Sequence, residues 1–135
     1  MKTTISELQK IISEYSLKIS SMPEDDFSAK PSAVKWSKKE VLGHLIDSAQ
    51  NNLRRFICGQ YEAVPSKIVY DQDHWVTLNA YQQAESKEII ALWVLLNKRI
   101  ASVLEKMPSI SYSNLSDTGK NSIQHIRWNG LPAIT

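Results

Sequence analysis

Three stretches of this chain place apolar residues at alternating three- and four-residue steps, the spacing that lines one face of an α-helix. The first runs through Ile5, Leu8, Ile12, Tyr15, Ile19 and Met22, with Thr4 and Glu7 as a capping box at its start and Pro23 at its end. It predicts a helix over 5–22. The second runs through Val41, Leu42, Leu45, Ile46, Ala49, Leu53, Phe56 and Ile57. Ser37 and Glu40 form a capping box before it, Trp36 and Val41 stand where a hydrophobic staple packs, and Gly59 follows as a C-terminal cap, so a helix over 38–58 is expected. The third, through Ile89, Trp93, Leu96, Ile100, Val103 and Met107, stops at Pro108.

The segments between these stripes have a different chemistry. Residues 23–35 carry Pro23, Asp25, Asp26, Ser28, Pro31 and Ser32 and read as a loop. Residues 60–80 hold Pro65 and the aromatics Tyr61, Tyr70 and Trp75 around Asp71-Gln72-Asp73-His74, with Tyr81 following; a short helix packed over one end of the bundle is expected there. Residues 109–122 read as a loop, and Ile123, Ile126 and Arg127 allow a turn or two of helix before the breakers Asn129-Gly130 and Pro132. The expected architecture is all-α: an up-down helical bundle of three long helices plus a truncated fourth, in a single domain over 1–135.

Composition narrows the functional classes. A hydrophobic content of 42%, with four Gly and five Pro, fits a chain that folds around a core. Sixteen basic and fourteen acidic residues leave +2, dispersed along the chain, so nothing supports a nucleic-acid partner. The longest apolar run, Ile89 to Leu96, has eight residues where a bilayer span needs about 20, so no membrane segment is expected. One cysteine, Cys58, allows no internal disulfide and no thiolate cluster, and the polar N-terminal segment lacks the apolar stretch of a signal peptide. Both point to the cytoplasm.

Candidate chemistry lies on the second helix. At about 100° per residue, His44, Ser48, Asn51, Asn52 and Arg55 form a polar stripe bordering the apolar arc rather than opposing it. Such groups are expected to face a groove between helices, where they need partners. Read functionally, His44 is a metal ligand and the Asn and Arg positions orient a substrate; read structurally, the stripe is a helix boundary with satisfied polar groups. His74, beside Trp75, is either a second ligand or a surface hydrogen-bonding group, and His125 falls on the short terminal turn. Cys58 reads as an inert thiol without a sequence-adjacent base, and Trp36, Trp75, Trp93, Tyr70 and Tyr81 either line a pocket or fill the core.

Trp36-Ser37, Glu40-Val41-Leu42-Gly43-His44-Leu45-Ile46-Asp47-Ser48-Ala49, Asn51-Asn52 and Arg55-Phe56 together resemble the second-helix signature of the DinB/YfiT-like metalloprotein superfamily. Tyr70 to Val76, Tyr81, Leu92-Trp93 and Asn97 are similar to the middle of one of its branches. The resemblance implies a four-helix bundle, a divalent metal such as nickel or zinc held by one His of the second helix and two of the fourth, and activity as a metal-dependent hydrolase or thiol-dependent transferase. His44 matches the first ligand. Ser48, Asn52, Arg55 and Trp75 are then the expected walls of the pocket for a small-molecule or thiol substrate.

The other two ligands would follow Trp128, where this sequence reads Asn129-Gly130-Leu131-Pro132-Ala133-Ile134-Thr135. A frameshifted or truncated fourth helix is the expectation, with an incomplete metal site that leaves the chain inactive. A groove so uncovered predicts self-association as a homodimer. The alternative expectation is a non-catalytic bundle that serves as an interaction or small-ligand-binding module.

Overall fold

A computed structural model describes residues 2–64 and 67–108, all of whose regular structure is helical. The elements are α1 (Lys2–Ser20), α2 (Glu24–Ser28), α3 (Lys38–Tyr61), α4 (Gln72–Asn79), a 3-10 turn (Tyr81–Gln83) and α5 (Ser86–Lys106). The truncated fourth helix expected near 123–127, and His125 with it, lies outside the described residues.

The three stripes become α1, α3 and α5, and their apolar faces form the core. α1 buries Ile5, Leu8, Ile11, Ile12 and Ile19. It begins at Lys2, so Thr4 sits inside the first turn and not at the cap position expected of it. α3 begins as expected: the Ser37 hydroxyl accepts from the Glu40 N–H, while the Glu40 carboxylate accepts from the Ser37 N–H, satisfying two otherwise orphaned helix donors. Its end differs. The helix runs through Gly59 to Tyr61, and the Glu62 N–H closes onto the Cys58 carbonyl. A glycine inside a helix costs about 1 kcal/mol, less than burial of Phe56 on the preceding turn returns.

The expected loop over 23–35 contains α2. Pro23 presets the backbone, Glu24, Asp25 and Asp26 sit at the positive end of the short helix, and Phe27 is buried. One apolar residue is too little periodicity to register as a stripe. The Glu24 carboxylate accepts from the Ser28 and Ser86 hydroxyls and pairs with Lys39 at 3.7 Å. It thereby gathers the starts of α2, α3 and α5.

Those contacts also fix the course of the chain. The end of α1 packs with the starts of α3 and α5 in one apolar cluster, which includes Ile19, Leu42, Leu45, Ile89 and Trp93. The start of α1 packs with their ends in a second, which includes Ile5, Leu8, Phe56, Ile100 and Leu104. The up-down alternation therefore holds between α1 and α3, while α5 runs alongside α3 in the same direction. The connector between α3 and α5, described over 67–85, returns along α3 to make this possible, with the short helix anticipated there observed as α4. Among the described residues no helix is long and apolar enough to cross a membrane.

Candidate functional site

The connector docks on the polar stripe of α3. His44, Asp47, Ser48, Asn51, Asn52 and Arg55 follow one another at three- and four-residue steps, and all but His44 are buried. Buried polar groups require partners, and the connector supplies most of them. Arg55, only 4% exposed, donates from Nε and Nη2 to the Ile68 carbonyl at 3.1 and 2.5 Å, and from Nη1 to Asn52 Oδ1 at 2.8 Å. Ser48 and Tyr70 share a hydrogen bond at 2.6 Å, and Trp75 meets the Tyr70 ring edge-on at 5.5 Å. Asp47, fully buried, accepts from the Tyr81 hydroxyl at 2.5 Å and from the Asn79 amide at 3.2 Å through the same oxygen, Oδ1.

The close approach of Tyr81 depends on Gly43. A Cβ built at that position would lie 2.1 to 2.7 Å from three atoms of the Tyr81 ring. Only a residue without a side chain lets the ring lie flat enough on α3 for its hydroxyl to reach Asp47 one turn further along.

At the other end of the stripe, His44 is half-buried, with its ring 5.4 Å from that of Trp36. Burial holds its pKa below the ordinary 6.5, with Asp73 pulling weakly the other way, so the imidazole is neutral near physiological pH. Its Nδ1 is buried without a hydrogen-bond partner among the described residues, as is Asp47 Oδ2. About 16 Å of helix separates His44 from Arg55, so the stripe is a row of groups rather than one constellation.

Each residue singled out by sequence can now be placed. Ser48, Asn52 and Arg55 lie together under the connector, with hydrogen bonds made to Tyr70, to each other and to the Ile68 carbonyl. Trp75 packs half-buried over Tyr70. His74 opens toward solvent, 77% exposed, with Nδ1 3.0 Å from Asp71. Cys58 is a buried free thiol, 3.6 Å from the Tyr61 hydroxyl. Trp93 and Tyr81 are core. Sequence reasoning weighs Tyr81 as a pocket or core aromatic but assigns Asp47 no site role, although the spacing 44, 47, 48, 51, 52, 55 places Asp47 squarely on the stripe. A separate groove of about 300 Å³ runs between α1 and α5, lined by Ile12, Ser13, Lys98 and Ala101 among others, and includes no residue of the stripe.

The donor set can be weighed for a divalent metal. Among the described residues no three His, Cys, Asp or Glu side chains come together as a metal cluster. The neutral imidazole of His44 suits one ligand position, but zinc and nickel sites need about three protein donors. The described residues do not by themselves compose a metal centre.

Asp47 gives the site a pH signature. Burial raises its carboxyl pKa from 3.8 to about 6, partly offset by the hydrogen bond from Tyr81. A group whose pKa is higher folded than unfolded binds its proton more tightly in the native state. Its contribution to stability is therefore full below the unfolded value and lost as pH rises through about 6. Urea midpoints for the wild type and Asp47→Asn are expected to move in the wild type's favour as pH falls from neutrality toward about 4. A difference that stays constant with pH would exclude a perturbed Asp47.

The fold and stripe together define a helical bundle with a buried polar stripe on one central helix, and comparison with solved structures finds the same fold elsewhere. The chain superposes on YfiT from Bacillus subtilis, described as a probable metal-dependent hydrolase with an unusual four-helix bundle topology, with a TM-score of 0.82 and 20% identity. The match covers 98% of this chain and 81% of that one. No protein-family model and no curated protein matches the sequence.

Proposed function

We propose that this chain is a DinB-like bundle of the metal-dependent hydrolase or thiol-dependent transferase type, with His44 as the ligand contributed by its second long helix. The observation that carries the reading is the state of His44: a neutral imidazole, half-buried, with a sealed nitrogen that no described residue satisfies. A neutral imidazole keeps one ring lone pair to give, and with Nδ1 sealed the nitrogen that can offer it is Nε2. The YfiT fold likeness supports the class, and the second-helix signature supports the position.

One imidazole holds a divalent ion weakly, so the reading requires further donors from outside the described residues. A metal, when bound, would polarise a substrate oxygen or acidify a bound thiol or water. The chain's own residues hold the connector against α3. A small molecule or thiol is the substrate class that the DinB-like resemblance implies.

Metal content tests the reading. Purified wild type is expected to retain nickel or zinc, measured by mass spectrometry after exhaustive dialysis, and His44→Ala to lose most of it. Equal, near-zero content in both proteins would instead identify a non-catalytic bundle, in which the buried stripe serves only to fasten the connector.

A further inference from the structure

His44 Nδ1 and Asp47 Oδ2 are both sealed from solvent, and neither has a hydrogen-bond partner among the described residues. They stand three residues apart on α3, a spacing that puts Cβ atoms about 5–6 Å apart on one helix face. The other Asp47 oxygen is already engaged by Tyr81 and Asn79, so the carboxyl is fixed from the connector side with its acceptor capacity left on Oδ2. Neighbouring donors are engaged elsewhere: the Asn51 amide donates to the Asp47 main-chain carbonyl, and the Arg55 guanidinium to Ile68 and Asn52. Each orphaned atom is the natural complement of the other.

We propose that Asp47 is the positioning residue of His44, with the Nδ1–H of the imidazole donating to Asp47 Oδ2 after a small rotation of the half-buried ring. An ionised carboxylate only accepts, so the pairing places the ring proton on Nδ1 and the free lone pair on Nε2. A carboxylate behind an imidazole in this way fixes both its tautomer and its direction. Tyr81 and Asn79 hold Asp47, and Asp47 holds His44. Docking of the connector therefore sets which nitrogen is available for chemistry.

The proposal rests on His44 being the working group of the site, but its test needs no metal. Nitrogen-15 NMR of the full chain, labelled in the histidine rings at mildly alkaline pH with no metal added, reports the tautomer directly; the His44 signals are those missing from His44→Ala. The wild type is expected to show His44 protonated on Nδ1. In Asp47→Asn, Tyr81 and Asn79 hold the amide oxygen, so an NH2 group replaces Oδ2 and demands a lone pair from Nδ1. The ring is then expected to switch to the Nε2–H form, a change that a merely structural aspartate would not produce. A wild-type ring protonated on Nε2, or the same tautomer in both proteins, overturns the proposal; if Asp47→Asn does not fold, the wild-type tautomer decides alone. Failure of the metal assay would leave this result standing, and failure here would leave the metal assay standing.

Discussion

Gly43→Ala is expected to cost about 3 kcal/mol of stability, the upper part of the range for forcing extra volume into a packed site. The three ring atoms that a Cβ would meet include Cγ of Tyr81, the root of the ring, which cannot swing aside as the tip of a long side chain can. Relief requires the whole ring to lift from α3. Lifting it withdraws the hydroxyl from Asp47, so the variant loses packing and a hydrogen bond to a buried carboxyl together. Urea denaturation measures the loss. If the clash is its source, Gly43→Ala combined with Tyr81→Ala should fall short of the sum of the single changes by more than about 1 kcal/mol. Strict additivity would place the damage elsewhere, for instance in the helix itself.

Arg55→Ala is expected to be comparably damaging, at about 3 kcal/mol. The substitution opens a void in a buried position and leaves the Ile68 carbonyl and Asn52 Oδ1 without their donors. Burial holds the Arg55 pKa below its ordinary value, yet a guanidinium remains protonated in proteins, so the native state buries a full positive charge against neutral acceptors. Arg55→Lys separates geometry from charge. An ammonium keeps the charge but cannot reach the Ile68 carbonyl from two nitrogens while a third meets Asn52, so it should recover less than half of the loss. A lysine variant as stable as the wild type would show that charge alone suffices and that the planar fork is incidental.

How much of this was legible in the sequence follows from how local each feature is. The long helices announce themselves because their apolar steps and the Ser37–Glu40 box are complete within a few residues. α2 does not, since Phe27 is its one buried residue, and the continuation of α3 through the buried Gly59 reflects packing that propensity does not record. The parallel course of α3 and α5 is invisible to periodicity, which gives a helix a face but no direction. At the site, the polar stripe could be read from spacing, whereas the use made of it could not. Asp47 reads locally as a solvated acid beside an apolar arc; the groups that make its burial tolerable, Asn79 and Tyr81, are 32 and 34 positions away. Ser48 and Arg55 likewise find Tyr70 and Ile68 only after the chain has turned back.

The return of the connector along α3 also bears on the order of folding. The hydrogen bonds from the stripe to the connector close loops of 13 to 34 residues, shorter than the span from Leu42 to Ile89 that packing of α5 on α3 must close, so the connector can dock on α3 before α5 arrives. The chemistry-bearing face can therefore form along with the hydrophobic scaffold rather than after it. Because Val76 and Tyr81 of the connector belong to the first apolar cluster, an opening that uncovers Asp47 and its neighbours also loosens that cluster.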